Sequence, residues 1–310
     1  MITFDKLKLV ADISAVRTYD ETQFEIIEKN EEVKAMKYYQ ETPFQLKLKL
    51  DFECGEAVIE FSGKILGKDY PKLISQETIR QCFENINALG ICTFNVEALM
   101  DAEVVKCDVT KDIPVADIPG VTNYIRSHIC SFQRFQCRKM RNGNIVIDKN
   151  VVSSKTKKRM TIYDKGKEMQ RSPNRPFVEE HGLEDAFSGI CRFELNLNSK
   201  EQIRNSLHIG DTKLMTVLSA DANPILDFLD EVVKPREEMV QMNDKKSYMT
   251  MLVLKDCDYD LEKVETKMRG FYPSRGTSIS KVMEPYRKMM EQMGDECGKT
   301  LWEDVKQALA

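Results

Sequence analysis

No apolar run in the chain approaches the roughly 20 residues that cross a bilayer. The opening MITFDKLKLVADIS alternates and carries charge where a secretory signal would have an apolar core. A soluble, cytoplasmic protein with no membrane partner is therefore expected. Neither CxxC nor CxxxC occurs, and the nine cysteines are scattered, an odd and dispersed set that suggests reduced thiols. Only three histidines are present, none at finger spacing from a cysteine, so zinc is not expected. A repeat at a solenoid period and a low-complexity tract are also missing, which excludes arrays.

What is there suffices for one large domain or two ordinary ones: 310 residues, 42% of them apolar and 31% charged. The net charge is only −4, but its distribution is uneven. Residues 126–175 hold fourteen Lys and Arg against three acids, Asp148, Asp164 and Glu168. A local balance of +11 leaves −15 for the rest of the chain. Such asymmetry marks a polyanion site on a protein that is not basic overall, although charge runs also occur as plain solvated surface.

Apolar and polar residues alternate in ITFDKLKLVADI, PFQLKLKLDFEC, EAVIEFSGKILG, AEVVKCDVTKDI, KRMTIYDK and SGICRFELNL, as in half-buried strands. MRNGNIVID contains Asn-Gly, a hairpin signal. SQETIRQCFENINALGI reads as a helix, with Ser75 as N-cap, an apolar face of Ile79, Cys82, Phe83, Ile86 and Leu89, and Gly90 as its stop. TNYIRSHICSFQRFQ is a second helix candidate. After about Ala220 the character changes. NPILDFLDEVVKPREEMVQM, YDLEKVETKMRGFY, ISKVMEPYRKMMEQM and TLWEDVKQAL have helical spacing, with Pro235 and Pro285 expected to bend or interrupt two of them. The expectation is an α+β fold: a mainly antiparallel sheet with packed helices over residues 1–220, open to division into sub-repeats 1–100 and 101–220, then a helical region over 221–310.

The strand period of two sorts the polar groups by face. Asp108, Thr110 and Asp112 share one face of their strand, Arg192, Glu194 and Asn196 of theirs, and Arg159, Thr161, Tyr163 and Lys165 of the third. Met160, Ile162, Phe193, Leu195 and Leu197 fill the opposite sides. In one sheet, Asp108, Glu194 and Tyr163 would converge. Carboxylates on one face repel unless a cation sits between them, and oxygen ligands suit Mg²⁺ or Mn²⁺. A divalent ion with lysines neutralises a scissile phosphate, and a tyrosine attacks it. The structural counter-reading packs Tyr163 as an amphipathic ring, uses Asp108 as a turn cap, and pairs Glu194 with Arg192 or Arg159.

KKRMTIYDKGKEM resembles the R-x-YDK-x-x-E block of rolling-circle replication initiators, with Arg159 four residues before Tyr163. VVKCDVTKD resembles their acidic strand and CRFELNL their R-x-E strand, in the same order. The opening DKLKL and EFSGKILGKDY are similar to phage and plasmid replication proteins of the filamentous-phage gene-two and Rep-trans-like type. The resemblance covers about residues 1 to 200. It implies a site-specific DNA nickase-ligase that cuts one strand at an origin, keeps the 5′ phosphate on a tyrosine, leaves a 3′ hydroxyl as primer and later rejoins the strand. Tyr163 is then the nucleophile, with Tyr124 as second choice. Asp108 and Glu194 hold Mg²⁺ or Mn²⁺, with Asp112, Asp164 and Glu168 as further ligands. Arg138, Lys139, Arg141, Lys155, Lys157, Lys158, Arg159, Lys165, Lys167 and Arg192 are the candidate DNA contacts. The implied partners are origin DNA, single-stranded or cruciform, a host helicase and polymerase, and a second copy of the chain in a homodimer. A His-hydrophobic-His motif, the commonest nickase metal signature, is absent.

Three other readings compete. A DNA-binding replication or transcription regulator would use the same basic segment, with a helix-turn-helix over LEKVETKMRGFYPSRGTSISKVMEPYRKMM. Its acid face, however, would repel phosphates without a metal. A tyrosine recombinase needs an arginine-histidine-arginine cluster and a late tyrosine, and no convincing set is found. A hydrolytic metal-dependent nuclease would use Asp108 and Glu194 to activate water while Tyr163 only packs.

Overall fold

The computed structural model describes residues 2–129, 135–149, 158–233, 244–257, 261–271, 278–293 and 296–310. Lys155, Lys157, Pro235, the last part of the helix candidate after Val233, and the turn of the helix-turn-helix candidate lie outside these residues.

Ten strands form one antiparallel sheet in the order β3-β4-β5-β6-β1-β8-β12-β11-β10-β9. They are β1 (Phe4–Asp12), β3 (Glu25–Lys29), β4 (Glu32–Gln40), β5 (Leu46–Asp51), β6 (Glu56–Ser62), β8 (Glu103–Pro114), β9 (Phe135–Lys139), β10 (Ile145–Lys149), β11 (Arg159–Asp164) and β12 (Ile190–Leu197). Short strands β2 (Val16–Tyr19) and β7 (Cys92–Phe94) pair separately. The order reads as two half-sheets joined at β1 and β8. In each, an inner strand leads to the outer edge, and the chain then walks back through three more strands to the inner one. Helix α1 (Ile79–Ala88) follows the first half-sheet and α6 (Lys200–Leu207) the second, each with a short helix after it, α2 (Val96–Met100) and α7 (Leu214–Leu218). The α+β expectation holds.

The expected strands form because their alternation fits a sheet with one covered face. Leu46, Leu48 and Leu50 of β5, Leu7 and Leu9 of β1, Cys107 and Val109 of β8, and Phe193, Leu195 and Leu197 of β12 all enter one core. Helix α1 adds Ile79, Cys82, Phe83 and Ile86, and stops at Gly90, whose φ of +73° suits glycine. Its N-cap is Thr78 rather than Ser75; the Thr78 hydroxyl donates to the Leu73 carbonyl and accepts from the Ser75 amide. Helix α3 (Ile118–Ser127) is shorter than its candidate segment, because Phe135 begins strand β9, which pairs with β10. Phe135 also packs edge-on against Phe228, their ring centroids 5.6 Å apart.

The helices after residue 220 divide between two cores. Helix α8 (Pro224–Val232) and helix α12 (Glu296–Leu309) belong to the sheet core through Phe228, Leu229, Trp302, Val305 and Leu309. Helices α9 (Lys245–Asp256), α10 (Leu261–Phe271) and α11 (Ile279–Met293) share a separate, methionine-rich core around Met251, Leu254, Val264, Met268 and Met283. Pro285 lies within α11, which continues through it. Among the described residues no helix is long and apolar enough to cross a membrane.

Candidate functional site

The other face of the sheet carries the polar side chains. Where β8, β12 and β11 lie side by side, registered rows cross it: Asp112–Arg192–Tyr163, Thr110–Glu194–Thr161 and Asp108–Asn196–Arg159. Strand β1 adds a residue to this face. Its register against β8 shifts between Phe4 and Lys6, and Asp5 reaches the polar side at that irregularity. The Asp5 amide donates to the Thr110 hydroxyl at 3.2 Å.

A second, smaller core of Tyr70, Leu73, Met169, Phe177, Val178, Leu183 and Phe187 covers this end of the polar face. It is assembled from the 3-10 segment Gly63–Lys72, helix α4 (Lys165–Met169), helix α5 (Arg175–His181) and the chain leading to β12. Beneath it Arg192 is completely buried. Its guanidinium grips Asp112 through two bonds of 2.6 and 2.7 Å, and donates to Asp5 at 2.6 Å and to the Tyr70 hydroxyl at 2.8 Å. Tyr70 in turn donates to Asp5 at 2.8 Å. The cation that the face of carboxylates requires is thus a side chain of the protein itself.

Tyr163, 7% exposed, donates a 2.5 Å hydrogen bond to Glu194 Oε1. Burial, and then the Glu194 charge, push its phenol well above the ordinary value. Burial and the neighbouring Asp5 push Glu194 up to about 7. Burial would raise Asp5 too, but Arg192, Lys165 and the Tyr70 hydrogen bond outweigh it and hold Asp5 below its ordinary value. Lys165, equally enclosed, donates to Glu168 at 2.7 Å and lies 5.0 Å from the Tyr70 ring centroid and 5.8 Å from that of Tyr163. Asn174 joins Glu168 to Lys64 by bonds of 2.6 and 2.7 Å. Burial and the Lys165 charge lower the pKa of Lys64, against the pull of Glu168.

The candidate residues therefore divide. Tyr163, Glu194, Asp112, Arg192, Lys165 and Glu168 come together. Asp108 lies on the same face but is hydrogen-bonded by the Asn196 amide, and burial raises it to about 6. Asp164 does not reach the cluster: it caps α4, accepting from the Lys167 amide at 2.9 Å and pairing with the Lys167 ammonium at 3.0 Å. Asp112 is spent on Arg192, and Glu168 on Lys165 and Asn174. The five expected metal ligands are accordingly not one donor set, and among the described residues no group of three His, Cys, Asp or Glu is arranged to hold a metal. Asp5 Oδ2 and Glu194 Oε2 accept no hydrogen bond among the described residues.

Two expected DNA contacts need correction. Arg192 and Lys165 are enclosed and bonded to carboxylates, so both organise the site instead of presenting a phosphate-binding surface. Arg138 and Arg159 are partly exposed around Asp148, at 2.6 and 3.7 Å. Lys139 reaches Asn123 at 3.4 Å, Arg141 is exposed in the β9–β10 turn, Lys158 is half-buried just before β11, and Lys167 is exposed. Tyr124, the second choice, packs against the sheet core, its ring stacked on His128 and Trp302 at centroid distances of 3.9 and 6.0 Å.

Sequence reasoning missed Asp5, Tyr70, Lys64 and Asn174. Asp5 is hidden because a strict period of two puts it on the face opposite Lys6, and only the local register shift reverses that. Tyr70, Lys64 and Asn174 lie on irregular segments, where no periodicity assigns a face. No family model matches the chain, and neither a curated protein nor a solved structure matches it.

Proposed function

We propose that this chain is a replication initiator that nicks one DNA strand at an origin by tyrosine transesterification and later rejoins it. The observation that carries the reading is the 2.5 Å hydrogen bond from Tyr163 to Glu194. A phenol with a high pKa needs a base at hydrogen-bond distance, and a carboxyl raised to about 7 is matched to that task near neutral pH. In the proposed step the Tyr163 oxygen forms a bond to phosphorus as its proton passes to Glu194. The bond from phosphorus to the 3′ oxygen breaks, and that oxygen takes a proton from water. A 5′-phosphotyrosine and a 3′ hydroxyl result. The reverse sequence closes the strand.

Arg192 holds Asp112 and Asp5 in place, and Asp5 keeps Glu194 basic by like-charge repulsion. Lys165 supplies positive charge beside the tyrosine, and Lys64 beside Glu168 and Asp5. Mg²⁺ or Mn²⁺ would have the free Asp5 Oδ2 as its protein oxygen, completed by phosphate oxygens and water, with Glu194 left to take the proton. Bound there, the ion would neutralise charge developing on the phosphate. Arg138, Arg141, Arg159, Lys139, Lys158 and Lys167 remain candidate contacts to the duplex or cruciform flanks, together with Lys155 and Lys157. A cytoplasmic setting, a host helicase and polymerase as partners, and a homodimer complete the proposal.

The test is covalent capture. The protein is incubated with Mn²⁺ or Mg²⁺ and single-stranded DNA from its replicon's origin, labelled 3′ of the nick, and run on a denaturing protein gel. A labelled band at the protein's mass, lost in Tyr163→Phe and strongly reduced in Glu194→Gln, is expected. Cleavage without attached label would make the chain a hydrolytic nuclease. Binding without cleavage would make it a regulator. An adduct that survives Tyr163→Phe would overturn the assignment of the nucleophile.

A further inference from the structure

A large hollow with apolar side chains in its lining lies on the polar face away from Tyr163. It lies on the first half-sheet, where a trough of about 830 Å³ is lined by residues of β1, β3, β4, β5, β6 and β8. The strand registers show how it is built. One row reads Tyr39–Lys47–Glu60–Lys8–Lys106 across β4, β5, β6, β1 and β8; the next reads Glu25–Lys37–Lys49–Val58–Val10. Lys6 extends the same face toward Asp108.

Glu60 occupies the middle of the first row. Lys6 lies 2.8 Å from it and Lys8 3.8 Å, and the charges of Lys6, Lys47 and Lys8 outweigh burial to keep it below its ordinary pKa. Glu60 thus spaces several lysines, and together with Glu25 in the next row it does not match the charge of the lining lysines Lys8, Lys37, Lys47 and Lys49. Lys49 is tied to Asp51 at 2.5 Å. Lys37, Lys47 and Lys106 have no ion pair among the described residues. Tyr39 is 58% exposed, and the Lys47 ammonium stands 5.1 Å from its ring centroid. An exposed ring beside unpaired lysines on a sheet face matches a single nucleic-acid strand, in which phosphates meet cations and an unpaired base stacks on an aromatic face. A duplex would need an element that enters a groove, and the trough presents none.

We infer that this trough is a sequence-independent track for single-stranded DNA, in which Lys8, Lys37 and Lys47 hold phosphates, Lys106 extends the row beyond Lys8, and Tyr39 stacks a base. The track and the Tyr163 cluster share one continuous sheet face. From Glu194 on β12 to Lys47 on β5 is four strand spacings, ~19 Å. The identity of the strand as the one flanking the nick rests on the function proposed above; the binding itself does not.

The experiment uses the full chain carrying Tyr163→Phe, so that covalent capture plays no part. Fluorescence anisotropy measures binding of labelled oligothymidylate about 16 nucleotides long, and its salt dependence between about 50 and 200 mM. Lys37→Ala with Lys47→Ala is expected to weaken binding by about tenfold or more and to lower the slope of log K against log salt by about 1.4. Tyr39→Ala is expected to weaken it about tenfold, while Tyr39→Phe, which keeps the stacking face, leaves it unchanged. Lys72→Ala with Lys288→Ala removes the same charge from exposed positions outside the trough and should change neither quantity. Thermal melts establish that each variant is folded. Equal losses in the trough and control pairs, tighter binding of a duplex of the same length, or no binding by the parent protein at the lowest salt would each overturn the inference. An adduct formed normally by the Lys37/Lys47 variant with Tyr163 restored, and unchanged oligothymidylate affinity of its Tyr163→Phe counterpart, would sink the track and leave the nicking proposal standing. Loss of the adduct in the wild type with the expected binding losses would do the reverse.

Discussion

At the residue scale, Arg192 and Glu194 divide the work of one strand. Arg192 has no contact with solvent and serves two carboxylates from different strands, Asp5 and Asp112. Losing its charge would strand both, which is the costly way to break a buried ion pair. Glu194, only two residues away, is left protonatable near neutral pH by its burial and by Asp5. That shift has a consequence for stability. Between its ordinary value of 4.5 and about 7, the folded protein keeps a proton on Glu194 that the unfolded chain releases. Stability from this group therefore falls as pH rises through that window, by at most about 3 kcal/mol, and changes no further above it. Asp108, raised to about 6, acts with the same sign. Asp5 and Glu168, held below their ordinary values, act oppositely: their contribution is present above the unfolded carboxylate pKa and is lost on acidification. Glu194→Gln keeps an oxygen acceptor for Tyr163 and removes the titration. Its urea stability relative to wild type should rise steadily from about pH 5 to about pH 8. A difference that stays constant over that range would mean that Glu194 ionises normally.

At the element scale, the YDKGKE turn is a packed part of the site. Asp164 caps α4, Lys165 turns inward under Tyr70, and Glu168 reaches back to Lys165 one turn later. Gly166 is required for close packing rather than for a left-handed backbone. A Cβ there would lie 2.8 Å from the Phe187 carbonyl oxygen, a backbone atom that cannot swing aside. Gly166→Ala should therefore cost roughly 1–3 kcal/mol in urea unfolding, as overpacking does. It should also reduce adduct formation by displacing Lys165. Gly210→Ala, where no atom lies within 4 Å of the added carbon, is the matched control. Equal stability of the two variants would remove Gly166 from the account.

At the scale of the whole molecule, besides the small core over Arg192, two separate cores of unequal size are found among the described residues. The sheet core runs through both half-sheets and takes in α8 and α12, whereas α9, α10 and α11 enclose a small cluster of their own. The only tryptophan, Trp302, lies in the sheet core against Tyr124. Its fluorescence thus reports the sheet core, while far-ultraviolet circular dichroism also registers the three helices. The smaller core has less apolar area to stabilise it and should open at lower denaturant. Two non-coincident urea transitions are expected, with helical signal lost before tryptophan fluorescence changes. Superimposable curves would show that the two cores unfold as one.

Much of the sheet was legible because amphipathic strands declare themselves by period. β1, β5, β6, β8, β11 and β12 appear where alternation placed them. The hairpin of β3 and β4 went unread because its turn uses Asn30 and Glu31, both at positive φ, in place of an Asn-Gly pair. Helix α9 was passed over because its apolar residues follow no clear face. The amino-acid sequence by itself determined the α+β class and the faces of Tyr163, Glu194 and Asp112. Only the tertiary structure decided that Arg192 is the internal cation, that Asp5 joins it, and that lysines dispersed between positions 8 and 49 lie together in one trough. Period along a strand assigns a residue to a face. Which residues meet across that face depends on register, local irregularities and the walk of the chain between strands, none of which a single strand's pattern encodes.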